Sequence, residues 1–146
     1  MSYEFKAIRR VEFSETDMAG IVNYSNYFHF METAENAFFR SLGLSIYRTG
    51  DPPVSWPRVH ASCDYKRPLH FEDEVEIHLL VAEKKAKALT YAFKFRKLNA
   101  TPPVLVARGA LTVVCVSHHA DGRMMACAIP KLVAEKIEIA PAELLA

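Results

Sequence analysis

The feature that most constrains the fold is a stretch near the N-terminus in which a short loop leads directly into one long apolar helix. Between residues 27 and 42, apolar side chains recur every three or four positions and leave only a narrow polar face. A helix that is apolar over most of its circumference must be covered on several sides. Asn23, Ser25 or Asn26 can cap its N-terminus, and Gly43 stands where a left-handed C-terminal cap belongs.

The rest of the chain is dominated by strands with short connections between them. Apolar and polar side chains alternate in most of these segments, and Gly109 inside the last long one predicts a bulge or a close backbone approach. One long helix with hairpin-connected strands predicts an α+β fold, an antiparallel sheet wrapped around the helix, in one domain covering residues 1–146. The predicted strands cover residues 3–13, 59–65, 74–81, 89–96, 104–116 and 124–129, with a C-terminal helix from about Pro130.

Asp17 is the first candidate for chemistry, because its loop feeds the positive end of the long helix. From the bare sequence, an aspartate in a loop is ordinarily a turn-former or a helix cap. The exposed amides of a helix N-terminus can also stabilise a developing oxyanion. The loop therefore has either a purely local role or a catalytic one, with a carboxylate close to amides that can hold an oxyanion.

The same residues carry a resemblance to a known family. The run Thr16-Asp17-Met18-Ala19-Gly20-Ile21-Val22-Asn23-Tyr24-Ser25-Asn26-Tyr27 resembles the signature of the 4-hydroxybenzoyl-CoA thioesterase family. The similarity covers roughly the whole chain, including the helix, the Trp56–Tyr65 segment, Asp121-Gly122-Arg123 and Ile129-Pro130. The resemblance implies a hotdog fold, which agrees with the α+β layout, and hydrolysis of an acyl-CoA. It also implies a homodimer with active sites at the subunit interface, assembled into a homotetramer.

The family's site residues can be carried over to matching positions. Asp17 is then expected to attack the thioester carbonyl or to activate a water, and the sequence does not decide between these roles. The backbone N–H of Tyr24 is the expected oxyanion donor. No metal or redox cofactor is implied, and Glu32 and Glu35 on the helix are reserve candidates for the carboxylate. The expected substrate-binding positions in this part of the chain are Asn23, Trp56, Pro57, Val59 and His60.

A small basic cluster, Lys84, Lys85 and Lys87, lies between two predicted strands. Its ordinary interpretation is a solvated hairpin. Its functional interpretation is a clamp for the phosphates of coenzyme A. Arg58 and Arg67 are further candidates for phosphate contacts.

Composition excludes several other classes of function. The net charge of +1 argues against nucleic-acid binding, and no apolar run approaches the ~20 residues of a membrane span. The N-terminus lacks the apolar core of a signal peptide, so we expect a cytoplasmic protein with its three cysteines as free thiols. Two alternatives remain open: a hotdog dehydratase, and a non-catalytic module that binds acyl-CoA or acyl-carrier protein. The acyl group and its carrier are not determined.

Overall fold

One long helix and eight strands form most of the molecule, and the computed structural model describes all residues from 1 to 146. A single 3-10 turn, Phe13–Glu15, follows the first strand. The elements in chain order are β1 (Glu4–Arg10), α1 (Asn26–Ser41), β2 (Val54–Ser55), β3 (Arg58–Tyr65), β4 (Glu74–Lys84), β5 (Ala88–Lys97), β6 (Val104–Val114), β7 (Val116–His118), β8 (Met124–Ala126), α2 (Lys131–Ala134) and α3 (Ala142–Leu145).

Five strands form an antiparallel sheet in the order β1-β4-β5-β6-β3, so that β1 and β3 are its edges. The helix α1 packs against this sheet and contacts β4, β1 and β3. The short strands β2, β7 and β8 form a second sheet. The predicted α+β fold, with an antiparallel sheet around one long helix, is confirmed.

The alternating pattern of the strands explains why the sheet covers the helix. In β5, Leu89, Tyr91, Phe93 and Phe95 are at most 1% exposed, whereas the side chains between them are half-buried. Burying one large apolar side chain contributes about 2 kcal/mol to folding. These residues belong to one continuous core of 27 buried side chains, which places α1 firmly against the sheet.

The C-terminal end of α1 has the predicted cap. Gly43 adopts a φ of +77°, and its N–H donates to the Arg40 carbonyl at 3.0 Å. The Leu44 N–H reaches back to the Phe39 carbonyl at 3.0 Å, which completes a Schellman arrangement. At the other end Ser25 occupies the N-cap position, but its side chain makes no capping bond to the helix backbone.

Gly109 leaves room for a side chain of α1 to pack directly on β6. A Cβ atom at this position would lie 2.3 Å from Cε of Met31. The position therefore has a close approach, but by a helix side chain and not by another backbone segment as predicted. Gly109 itself pairs regularly with Phe93 and Cys63, so the strand has no bulge there.

Four predicted elements differ from the observed ones. The strand predicted for residues 124–129 ends at Ala126. The strand predicted for residues 104–116 is interrupted at Cys115, beyond which β7 joins the second sheet. Phe13 lies in the 3-10 turn with 75% of its surface exposed, because β1 ends at Arg10. The C-terminal helix is a single turn followed by another short one.

All three cysteines are free thiols, and none of the helices has the length and apolar character that a membrane span requires.

Candidate active site

Asp17 begins the turn of a tight loop that closes just before α1. Thr16 and Val22 form an antiparallel bridge at its base, and the Asp17 N–H donates to the Ile21 carbonyl at 3.0 Å. The loop turns at Gly20, whose φ of +77° strongly favours glycine. This geometry holds the Asp17 side chain exposed at the surface of the molecule.

The Asp17 carboxylate is oriented by two hydrogen bonds. The Ala19 N–H donates to Oδ1 at 2.9 Å, and Nδ2 of Asn23 donates to Oδ2 at 3.3 Å. Each carboxylate oxygen accepts only one of these hydrogen bonds and so retains a free lone pair. The arrangement therefore fixes the carboxylate without occupying it, as a nucleophile or a general base requires.

The Glu15 side chain anchors the loop to β1. Its carboxylate accepts a hydrogen bond from the Glu12 N–H at 2.8 Å and pairs with Arg9. The Arg9 guanidinium in turn lies over the ring of Phe30 on α1, 4.4 Å from its centroid. These contacts join strand, loop and helix beside the carboxylate of Asp17.

The first amides of the helix region differ in whether they have an acceptor. The Asn23 N–H donates to the Glu15 carbonyl at 2.9 Å, and the Ser25 N–H donates to Oδ1 of Asn23 at 3.1 Å. The Asn26 N–H donates to the Asn23 carbonyl at 3.0 Å. Only the N–H of Tyr24 among these four has no acceptor in the protein. It is free to donate to a ligand at the positive end of α1.

A cavity of about 520 Å³ opens beside these groups. Three tyrosine rings give it an aromatic wall, and two cationic side chains flank it. One of these rings belongs to Tyr65 at the end of β3, whose hydroxyl donates to the Tyr24 carbonyl at 2.9 Å. The cavity is lined by Asp17, Ile21, Val22, Tyr24, Tyr27, Tyr65, Lys66, Arg67 and Pro68.

The predicted pocket residues on and before β3 do not line this cavity. Trp56 is only 4% exposed, and its ring packs edge-on against Phe39 at 5.8 Å. The Trp56 ring is therefore part of the hydrophobic core and does not face a ligand. Val59 is 62% exposed and His60 is also exposed on the edge strand, whereas Pro57 is half-buried.

The predicted lysine cluster divides into different environments. Nζ of Lys84 donates to the carbonyls of Ala134 and Ile137, at 2.6 and 2.7 Å, and so holds the C-terminal segment against β4. Lys85 lies 3.5 Å from Glu83 on the surface. Lys87 is exposed and has no ion-pair partner. None of the three lines the cavity at Asp17.

The reserve carboxylates on α1 also lie outside the cavity. Glu32 is exposed, but Glu35 is fully buried and forms an ion pair with Arg58, beside the Tyr91 hydroxyl. Burial raises the pKa of Glu35, and the Arg58 guanidinium opposes that shift. Glu35 thus has a core environment without access to substrate.

Tyr65, Lys66 and Arg67 are the main residues of the cavity that local sequence patterns do not identify. They follow Asp17 by almost fifty residues and reach it because β3 ends at the N-terminus of α1. The only sequence signal is that Tyr65 closes the Trp56–Tyr65 segment of the family resemblance, with Arg67 as a weak candidate for a phosphate contact.

Comparisons with known proteins identify relatives along most of the chain. The family model described as the thioesterase-like superfamily matches residues 11–141. A putative esterase of Aquifex aeolicus is 39% identical over 85 residues, which are 58% of this chain and 66% of that protein. The matched segments span only 60% to 66% of the first two curated relatives.

Solved structures extend the comparison to the whole fold. A gentisyl-coenzyme A thioesterase is 31% identical and superimposes with a TM-score of 0.73, covering 89% of this chain and 99% of the other. The 4-hydroxybenzoyl-CoA thioesterase of Pseudomonas sp. strain CBS-3 is 21% identical, with a TM-score of 0.78 and coverage of 92% and 99%. The second likeness establishes the hotdog fold alone.

Proposed function

The chain belongs to the thioesterase-like superfamily, and on this premise we propose that it hydrolyses the thioester of an aryl- or short-chain acyl-CoA. One observation carries the proposal. The oriented carboxylate of Asp17 and the free N–H of Tyr24 belong to residues that line the same cavity. A base or nucleophile and an oxyanion donor are the minimal groups that thioester hydrolysis requires.

In this mechanism the thioester carbonyl oxygen accepts a hydrogen bond from the Tyr24 N–H. Negative charge that develops on that oxygen is stabilised by the N–H and by the helix dipole of α1. Asp17 either attacks the carbonyl carbon, forming a mixed anhydride that water then hydrolyses to the free acid, or removes a proton from a water that attacks the carbonyl carbon directly. Coenzyme A leaves as a thiolate, which is a good leaving group, so that a strong general acid is unnecessary.

The cavity supports an aryl acyl group. Among its lining residues, Tyr24 and Tyr65 are 67% and 45% exposed and can offer aromatic surface to a ligand, and Ile21 adds apolar surface. Aromatic walls favour ring-shaped ligands through edge and offset stacking. In this proposal the aromatic wall comes from tyrosines at the helix N-terminus, because Trp56 is buried in the core.

Thiol release from a panel of acyl-CoA thioesters tests this function. We expect 4-hydroxybenzoyl-CoA or gentisyl-CoA to be hydrolysed with a kcat/KM about tenfold above that of butyryl-CoA, the size of one favourable aromatic contact. A preference for aliphatic thioesters would contradict the aryl assignment. Binding of acyl-CoA without thiol release would contradict hydrolysis and indicate a binding module.

Lys85 and Lys87 are the members of the basic cluster that we assign to the phosphates of coenzyme A. Both are exposed, so their ammonium groups are accessible to a phosphate, although neither lines the cavity at Asp17 within one chain. Lys84 is not part of this assignment, because its ammonium group is already bound to two carbonyls. The phosphate assignment is also withdrawn for Arg58, which pairs with Glu35.

We further propose that the protein is a homodimer, which can pair into a tetramer. The eight-residue strand β3 is an edge of the main sheet, and nearly all of its side chains are exposed. A long unprotected edge strand is a template for pairing with another chain. Pairing of two β3 strands would place Val59 and His60 at the interface.

Light scattering measures the assembly directly. We expect a mass of twice or four times that of one chain at micromolar concentration, because an exposed edge of this length favours association. A monomer that retains full thioesterase activity would contradict the interface.

A further inference from the structure

Tyr65 connects the end of β3 to Tyr24, two residues before the start of α1, and sequence patterns assign it no function. Its hydroxyl donates to the Tyr24 carbonyl at 2.9 Å across 41 residues of sequence. We propose that Tyr65 is a positioning residue for the hydrolysis: it holds the backbone of Tyr24, a residue that lines the cavity, and with it the N–H that the proposed mechanism uses as the oxyanion donor. This inference rests on the proposed function and adds a residue to its machinery.

The backbone at Tyr24 has few other restraints. Besides the Tyr65 hydroxyl, the Tyr24 carbonyl accepts only the Tyr27 N–H from the start of α1, at the long distance of 3.4 Å. Its own N–H has no partner in the protein. The Tyr65 hydroxyl is therefore the strongest contact that this residue's backbone makes.

The position of the Tyr65 hydroxyl is itself fixed by the sheet and the core. Tyr65 pairs with Ala107 of β6, which anchors its backbone. Its ring lies edge-on to the ring of Tyr27 at 5.0 Å, and Tyr27 packs in the same way against Phe95 at 5.4 Å. Because Tyr27 is only 3% exposed, this row of rings transmits the rigidity of the core to the helix N-terminus.

The hydroxyl is also in the correct protonation state to donate. Desolvation of the phenol, with a smaller effect from the Cys63 thiol, raises the pKa of Tyr65 to about 12. The group therefore remains a neutral donor throughout the pH range of an ordinary assay. The Tyr24 carbonyl can only accept, so the direction of the hydrogen bond is unambiguous.

Removing only the Tyr65 hydroxyl distinguishes a positioning role of Tyr65 from a role in packing. Tyr65→Phe retains the ring that lines the cavity and removes only the bond to Tyr24. Misplacement of an oxyanion donor by a fraction of an ångström weakens it in the transition state more than in the ground state. The substitution should therefore affect kcat and leave KM nearly unchanged. Tyr65→Leu removes the ring as well, so it should also raise KM for aryl thioesters.

The test compares these variants with the wild type in the thiol-release assay. We expect Tyr65→Phe to lower kcat about tenfold, with KM within about twofold and a Tm within about 4 °C of the wild type. The matched control is Tyr47→Phe, which removes a hydroxyl from a tyrosine that is 73% exposed and does not line the cavity. That control should retain full activity.

The outcomes separate this inference from the proposed function. A Tyr65→Phe variant with wild-type kcat, alongside an Asp17→Asn variant that is strongly impaired, would overturn the role of Tyr65 only. A rise in KM without a fall in kcat would also overturn it, because that result indicates a contact with substrate. Failure of the wild type to hydrolyse any thioester would overturn the proposed function and the positioning role together.

Discussion

Asp17→Asn is expected to lower kcat by a factor of about 100 or more while the protein remains folded. An asparagine is nearly isosteric with aspartate, and its amide oxygen can still accept the Ala19 N–H. What it loses is the negative charge that a nucleophile or a general base requires. Because the side chain is exposed, the substitution should change the free energy of unfolding by less than about 0.5 kcal/mol. Thiol release and thermal unfolding measure the two effects separately.

Asp121→Asn provides a matched control for this substitution. Asp121 is also an exposed loop aspartate, and its carboxylate contacts only its neighbour Arg123, at 2.6 Å. We expect that variant to keep wild-type kcat. Full activity in Asp17→Asn would contradict the mechanism and direct attention to Glu32, the exposed carboxylate on α1.

Rapid quenching of the wild-type reaction can distinguish the two roles of Asp17. Attack by the carboxylate would leave a transient acyl group on the peptide that contains Asp17, which mass spectrometry detects. Activation of a water would leave that peptide unmodified at every time point.

Arg58→Met is expected to have the largest effect on stability, a loss of about 3 kcal/mol in the free energy of unfolding. The substitution leaves the fully buried Glu35 without its ion-pair partner. Methionine preserves most of the apolar stem of arginine, so the loss reports the unpaired charge. For a chain of this length we expect a Tm lower by about 6–12 °C. Thermal unfolding at one fixed protein concentration measures it, because any dimer would make Tm depend on concentration.

The matched control is Arg10→Met, at the exposed ion pair of Arg10 with Glu74. That pair is 3.7 Å apart, with side chains 67% and 42% exposed, and such pairs contribute less than about 1 kcal/mol. If the free energy of unfolding fell equally in the two variants, the result would contradict the expectation that the buried, unpaired charge of Glu35 is destabilising.

Acidification should reduce the loss in Arg58→Met. Burial raises the pKa of Glu35 in the folded state, and removing Arg58 removes a group that lowers it. Between the pKa of Glu35 in the unfolded chain and its higher pKa in the folded variant, only the folded variant holds the proton. The free energy of unfolding therefore decreases as pH rises through the folded-state pKa, and it increases as pH is lowered toward the unfolded-state pKa. A loss that is independent of pH would indicate a packing defect instead.

Many parts of the fold were predictable because their signals are local. The apolar spacing of α1 and the alternation in β4 and β5 follow from the periods of helix and strand, which neighbouring residues reveal. Gly43 was predictable because a helix end needs a left-handed residue at that position. The break at Cys115 was not predictable from residues 104–116, since their apolar pattern continues while the strand passes from one sheet to another.

The candidate site divides in the same way. The loop with Asp17 and the start of α1 are adjacent in sequence, so residues 16–27 alone predict that they are close in space. The hypothesis of a carboxylate beside an oxyanion donor follows from that proximity. The roles of Glu35 and Lys84 depended on partners more than twenty and about fifty residues away, Arg58 and the C-terminal carbonyls. Sequence spacing carries no information about such partners.

The sequence by itself therefore determined the long buried helix, the strands around it and the aspartate at its entrance, because each depends on residues within a few positions of one another. Only the tertiary structure decided which side chains complete the cavity. The order of strands in the sheet brings the end of β3 to the start of α1, and so it places Tyr65 against Tyr24. That order is set by the packing of the whole core around α1, which no single segment encodes.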